Sequence, residues 1–258
     1  MNALYLAGEN TVLRVSRTNA PPGQAVWLHW QLQHRGIRVP RMMRDEVFGF
    51  DALAVFALEF IGTTDAVDWR RVGEMVSAVH EWPADELVGH VSLPAPEHFP
   101  WWQVRTLLHE VEGSLDDAAQ RGLKAAIDAH GDWVGLVGER VVCHGDVHPG
   151  NVLQSADGPV LLDWDLICWG PRAWDHAPLM SWAERWGGDP AIYPSFAEGY
   201  GSSLTGYPLG ESLAVMRNVA ATLMRVRAGR NDPAAAKEAE HRLRYWRGDA
   251  DAPPWQAQ

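Results

Sequence analysis

Cysteine is scarce: the 258-residue chain has only Cys143 and Cys168, too few for a disulfide framework. No C-x-x-C spacing occurs, so a structural zinc site is not expected. Cys143 lies in an apolar, strand-like run and reads as a small buried thiol. No apolar run approaches the ~18 residues of a membrane span, and no basic segment followed by an apolar stretch opens the chain. A cytoplasmic location is therefore expected. An excess of positive charge is also missing. Lys+Arg 22 against Asp+Glu 33 gives a formal net charge of −11, which argues against nucleic-acid phosphates as a partner. The same balance is compatible with a cationic small molecule. Repeats and low-complexity segments are absent. With 47% hydrophobic and 21% charged residues, the chain has the composition of a soluble globular protein and is long enough for one large domain or two lobes. A monomer or a homodimer is expected, with no membrane partner.

What is present begins with strands. Residues 2–15 read as a hairpin turning at Gly8-Glu9-Asn10, and Val47 to Ile61 as two paired strands separated by Asp51-Ala52. Between them, Val26, Trp27, Trp30 and Leu32 recur at near-helical spacing, ended by Gly36. Residues 1–61 thus form a small strand-rich lobe, and Gly62-Thr63-Thr64-Asp65 reads as the crossing to a larger, mainly helical lobe, 62–258. There Asp68 caps a helix whose apolar face is Trp69, Val72, Met75, Val76, Val79 and His80. Pro94, Pro96 and Pro100 break up a loop ending at Trp101-Trp102. Further helices are expected over Leu115 to His130, along the stripe Leu213, Met216, Ala220, Leu223, Arg227, and from Asp232-Pro233 onward. Residues Asp249 to Gln258 read as a frayed tail.

The chemistry concentrates in Val142-Cys143-His144-Gly145-Asp146-Val147-His148-Pro149-Gly150-Asn151 and in Leu161-Leu162-Asp163-Trp164-Asp165. Asp146 precedes Asn151 by five residues, and Asp163 follows Asn151 by twelve, on an apolar run. Phosphoryl transfer needs such a set. One carboxylate takes the proton of the attacking hydroxyl, while an amide oxygen and a second carboxylate hold magnesium at the nucleotide phosphates. A carboxylate between Leu161-Leu162 and Trp164 is costly to bury without a cation or several donors. Asp165 suits a further metal contact, a substrate contact or a cap. His144 and His148 flank the base, where they can support the loop or approach a substrate. Five of the 14 Trp fall between Trp164 and Trp186, and Trp169 is the one singled out as a pocket wall.

These motifs resemble the aminoglycoside phosphotransferase family, a group of small-molecule kinases that includes choline, homoserine and fructosamine kinases. The likeness extends from about residue 2 to 185. It implies an α+β, bilobal, protein-kinase-like fold with a truncated nucleotide lobe. The implied activity is ATP- and magnesium-dependent transfer of the γ-phosphate to a hydroxyl of an aminoglycoside-like antibiotic, sugar or amino alcohol. On this likeness Asp146 is the catalytic base, Asn151 and Asp163 are the metal ligands, Arg14 steadies the nucleotide phosphates, and Glu59 to Ile61 is the segment against which adenine lies. Asp175 resembles the acidic residue that ties the next helix to the catalytic loop. Two departures stand out. The family's first strand and most of its phosphate-covering loop have no counterpart, and its helix Glu has no evident one. Gln24 lies near that Glu's place, but in Ala20-Pro21-Pro22-Gly23, a setting that suits a turn. Two alternatives remain open. One is a hydrolase metal cluster at His144-x-Asp146-x-His148, which leaves Asn151 and the Asp163 strand unexplained. The other is a catalytically degenerate, kinase-like binding or regulatory protein.

Overall fold

The computed structural model describes residues 2–17, 22–44, 46–50, 53–64 and 66–256. The N-terminal part is an antiparallel sheet of β1 (Asn2–Leu6), β2 (Thr11–Arg17), β3 (Phe48–Phe50) and β4 (Leu53–Glu59), in the order β1-β2-β4-β3. Gly8, at φ 76°, makes the first hairpin turn. The Asp51-Ala52 turn lies outside the described residues. The β2–β4 register sets Arg14 opposite Phe56 at mid-sheet. Between the hairpins runs α1 (Pro22–His34), after which Gly36 takes φ 73°.

Gln24 corrects the expectation of a turn. It lies in the first turn of α1, because proline at a helix's first position loses no hydrogen bond and brings a helical φ of its own. Ala20 and Pro21 lie outside the described residues.

The larger part opens with α2 (Trp69–His80). Asp68 caps it by accepting from the Arg71 N–H at 3.0 Å. Two short 3₁₀ turns in the proline-rich loop lead to α3 (Val104–Val111), and Asp116 caps α4 (Asp117–His130) through the N–H groups of Ala118 and Ala119. Strand β5 (Val141–Cys143) enters the loop that carries Asp146, and the hairpin β6 (Val152–Ser155) and β7 (Gly158–Leu161) leaves it. Then β8 (Cys168–Gly170) returns to pair with β5, bringing Cys143 opposite Cys168; both thiols are free and buried. Helices α5 (Ala173–Met180), α6 (Trp182–Trp186), α7 (Ile192–Tyr200), α8 (Pro208–Gly229) and α9 (Pro233–Trp246) complete the chain. The expected tail is not frayed: Trp255 is buried, and its N–H donates to the Arg185 carbonyl at 2.7 Å. A large aromatic at the end of the chain holds that segment down through its buried area.

Two apolar clusters hold the molecule. One joins α3, α4, α8 and α9 around Trp174, Leu213, Met216 and Leu223. The other lies beneath the Asp146 loop and takes Leu28, Leu32, Ile37 and Val39 from the N-terminal part together with Val72, Val76, Val147, Val152 and Leu161. This shared cluster, with the Leu161 N–H on the Arg38 carbonyl at 2.9 Å, fixes the small sheet against the loop. Among the described residues no helix is long and apolar enough to cross a membrane.

Helices α2 and α7 cross on glycine. A Cβ on Gly73 would lie 2.1 Å from the Phe196 carbonyl oxygen, and one on Gly199 would lie 1.8 Å from that of Arg70. Helix propensity alone would favour alanine at either place by up to ~1 kcal/mol. Gly73→Ala is instead expected to destabilise by about 1–3 kcal/mol, because the crossing must open. Urea denaturation of the two proteins checks the sign.

Candidate active site

The loop His144–Asn151 hangs from one buried carboxylate. Asp175, in the first turn of α5, accepts from the N–H groups of His144 and Gly145, each at 2.8 Å, and from His80 Nε2 at 3.1 Å. Burial opposes ionisation of both partners. For Asp175 the bond and charge of His80 outweigh it and hold the carboxyl below the usual range. For His80, hydrogen bonds to Asp175 and Cys143 outweigh it and push the imidazole up to about 9. Gly145 has φ 97°, and a Cβ there would lie 1.9 Å from the Leu166 carbonyl oxygen. Only glycine meets both demands at this position, where protein kinases carry arginine. Trp174 Nε1 donates to the Gly145 carbonyl at 3.1 Å and completes the suspension.

His144 ties the loop to the strand that follows. It is buried; its Nδ1 accepts from the Asp146 N–H at 3.2 Å and its Nε2 donates to the Leu162 carbonyl at 2.8 Å. That pattern places the proton on Nε2, and burial keeps the ring neutral by lowering its pKa. Asn151 makes the second tie. Its Nδ2 donates to the Asp146 carbonyl at 2.9 Å and to Asp146 Oδ2 at 3.2 Å, and its carbonyl accepts from the Leu162 N–H at 2.9 Å. Asp163, next in the chain, has φ 59°, the one positive φ outside glycine among the described residues. Such backbone strain is found at functional sites more often than elsewhere, and aspartate tolerates it better than most residues. Asp146, Asn151 and Asp163 are thereby gathered at one place.

Arg14 reaches this place from the sheet. One of its Nη atoms lies 2.7 Å from Asp163 Oδ1 and 2.5 Å from Asp165 Oδ2. Burial raises the Asp163 pKa, the Arg14 charge opposes this, and Asp165 adds to it. Two adjacent carboxylates bridged by a guanidinium, beside the loop in which the Asn151 carboxamide is held at Asp146, offer oxygen donors of the kind that a hard divalent cation takes. Glu59 is paired with Arg41, its N–H donates to the Arg41 carbonyl at 2.8 Å, and the Phe60 N–H donates to Asn10 at 3.0 Å. Ile61 follows directly on this clasp.

Asp146 opens on a cleft of about 390 Å³ between α5, α6, α8 and α9. His148 lines it, with Nδ1 accepting from the Gly150 N–H at 3.0 Å, Nε2 3.5 Å from Asp146 Oδ2, and burial lowering its pKa. Trp169 does not line it and is replaced as the aromatic wall by Trp182 and Trp186. Strand β8 pairs Trp169 with Val142 and turns it toward the apolar cluster under the loop. The sequence reading also missed Arg217, which pairs with Asp146. The signal lay in α8: Arg217, Ala221, Met224, Arg225 and Ala228 recur at helical spacing beside the apolar stripe and form the face toward the cleft.

A two-lobed, kinase-like phosphotransferase is the class that this fold and loop define. Residues 5–213 match the model of the phosphotransferase enzyme family, and the chain belongs to that family. A search of curated proteins by sequence gave no match. Among solved structures, the AMP-bound spectinomycin phosphotransferase APH(9)-Ia is similar at 16% identity and TM-score 0.68, covering 93% of this chain and 88% of that one. The GDP and kanamycin complex of APH(2")-IIia is similar at 13% identity and TM-score 0.71, covering 96% and 90%. A choline/ethanolamine kinase family protein from Mesorhizobium loti is similar at 14% identity and TM-score 0.67, covering 98% and 86%. These likenesses bear out the expected α+β bilobal fold.

The His80–Asp175 pair has a pH signature. His80 is pushed up to about 9 from 6.5, so its contribution is fully present below pH 6.5 and is lost as pH rises through 9. Unfolding free energy should therefore fall along that alkaline limb, on the order of 2–3 kcal/mol. His80→Gln should lower stability throughout but flatten the limb, as read from urea midpoints between pH 6 and 10.

Proposed function

We propose that the chain is an ATP- and magnesium-dependent small-molecule O-phosphotransferase, with residues 1–61 as the nucleotide lobe and 62–258 as the catalytic and acceptor-binding lobe. One observation carries this reading: a hydrogen-bonded frame of His144, Asn151 and Leu162 brings Asp146 and Asp163 together, and Arg14 from the other lobe meets Asp163 there. Asp163 and the Asn151 amide oxygen, with Asp165, would hold magnesium, which shields the phosphate oxygens as charge develops on them. The backbone of Glu59 to Ile61 takes the adenine, and Arg14, charged at any working pH, turns to the phosphates.

Asp146 accepts the hydrogen bond of the acceptor hydroxyl and orients it in line with the γ-phosphorus. As the acceptor oxygen bonds to phosphorus, the bond to the β–γ bridging oxygen breaks, and nucleoside diphosphate leaves with that electron pair. The hydroxyl proton passes to Asp146 late in a loose transition state. His144 holds the loop carbonyls and amides in place, and His148 flanks the acceptor. A second reading, a kinase-like protein that binds without turnover, draws on one observation. Arg14 and Arg217 each engage a carboxylate that the reaction needs free.

Diphosphate release from Mg-ATP over a panel of hydroxyl acceptors separates the two. Asp146→Ala is expected to lower turnover by ~10²–10⁴-fold while leaving Mg-ATP binding intact; undiminished turnover would refute the base. Asp163→Asn should abolish the magnesium-dependent part of the thermal stabilisation by ATP. A shift that keeps its magnesium dependence in that variant would remove Asp163 from the cation site.

A further inference from the structure

The two oxygens of Asp146 are held differently. Its own loop holds Oδ2, which accepts from Asn151 Nδ2 at 3.2 Å and faces His148 Nε2 at 3.5 Å. Oδ1 instead meets Nη2 of Arg217, a residue of α8 far away in the chain. The hold on this arginine is partial. Its Nη1 is buried with no hydrogen-bond partner among the described residues. Its guanidinium carbon lies 5.3 Å from the centre of the Trp101 ring, a weaker kind of contact. Burial brings the group down to about 10, so it is charged at neutral pH. An arginine that serves only to pin a carboxylate does best with both arms of its fork. Arg217 uses one arm on Asp146 and lines the cleft. A buried donor left unpaired is costly, and such a cost persists chiefly where function needs the donor.

We propose that Arg217 is a further catalytic residue: once nucleotide and acceptor are bound, it turns from Asp146 to the oxygens of the phosphoryl group in transfer. This role rests on the phosphotransferase reading. In-line transfer needs the acceptor oxygen within hydrogen-bond reach of Asp146 and about 3–3.5 Å from the γ-phosphorus. A cation already touching Asp146 is therefore one side-chain turn away from the phosphoryl oxygens. Those oxygens carry the charge of a loose transition state, and an arginine brought to them contributes ~10³–10⁵-fold in rate in other phosphoryl-transfer enzymes. Arg14 is engaged elsewhere, at Asp163 and Asp165. The same turn frees Oδ1 of Asp146 for the acceptor hydroxyl. As the acceptor oxygen bonds to phosphorus, the bond to the bridging oxygen breaks and its electron pair leaves with the nucleoside diphosphate. The hydroxyl proton passes to Asp146, and Arg217 keeps all of its own. In the resting protein the contact covers the base, so the base is exposed only as the phosphoryl group takes the arginine.

Aluminium fluoride with Mg-ADP mimics the phosphoryl group in flight and tests this role on the intact chain, with no acceptor and no turnover. Calorimetry should show aluminium fluoride tightening Mg-ADP binding to the wild type by about 10²-fold, the low end of what transition-state mimicry gives. Arg217→Met should lose at least about tenfold of that gain while binding Mg-ADP alone as the wild type does. A residue that only supports the cleft would leave this fluoride-dependent part unchanged. Arg217→Lys keeps the charge without the fork; it should retain only part of the gain, and it decides the case if Arg217→Met does not fold. A full gain in either folded variant overturns the assignment, as does a wild type that binds Mg-ADP and shows no gain. Both results leave the phosphotransferase reading standing. Loss of Mg-ADP binding in both variants would place Arg217 in the fold and overturn its catalytic role as well. A wild type that does not bind Mg-ADP overturns both readings.

Discussion

The buried carboxylate of Asp175 is the constraint on which the site depends. A charge taken from water into an apolar interior costs several kcal/mol unless it is matched. Here two backbone N–H groups and an imidazolium match it. The arrangement is reciprocal. Without Asp175, burial would drive His80 to its neutral form and two loop amides would lose their acceptor, so loop conformation and charge state stand or fall together. The pair also imposes its state on its surroundings. His176, one residue on, is pushed down to about 3 by burial and by the charge on His80, so only one of the two neighbouring histidines is charged.

A second pattern follows from the loop that Asp175 holds. The carboxylates of the candidate site are met by arginines from distant elements: Asp146 by Arg217 of α8, and Asp163 with Asp165 by Arg14 of β2. Left together, Asp163 and Asp165 would repel one another. Arg14 relieves that repulsion and in the same contact links the small sheet to the large lobe. Among the described residues Arg14 finds its counter-charge in Asp163 and Asp165, carboxylates of the larger part of the chain. Under the proposed function this contact is an exchange. Phosphates offer Arg14 a stronger partner as a cation takes its place between the carboxylates, so nucleotide and magnesium binding should assist each other.

How much of this was legible follows the range of the forces involved. Local signals read well. Asp68 and Asp232 cap the helices they were expected to open, the Gly8 turn lies where the turn residues put it, and the motif around Asp146 announces its spacing. Asp175 was legible only through family likeness, because nothing local distinguishes a buried acceptor of two amides from any acid near a helix start. Gln24 was misread since Pro22-Gly23 signals a turn and a helix start equally well. The tail at Trp255 was misread because its anchorage is wholly tertiary. Trp169 was chosen for its closeness to the metal strand in sequence, whereas strand pairing turns it toward the core.

Arg217 shows the same limit more sharply. Helix α8 carries two adjoining stripes. The apolar one, Leu213, Met216, Ala220 and Leu223, dominates the periodicity and is buried as that periodicity demands. The second, with Arg217 and Arg225, is rotated by little more than one residue and reads in isolation as a solvated face. Whether such a face meets water or closes a cleft depends on where α5, α6 and α9 are placed, and no local pattern encodes that. Charge summed over the whole chain averages over every face, while a ligand meets the potential of one concave surface. The residues that α8 turns toward Asp146 are therefore set by packing, and the −11 of the whole chain says nothing about the lining of this one cleft.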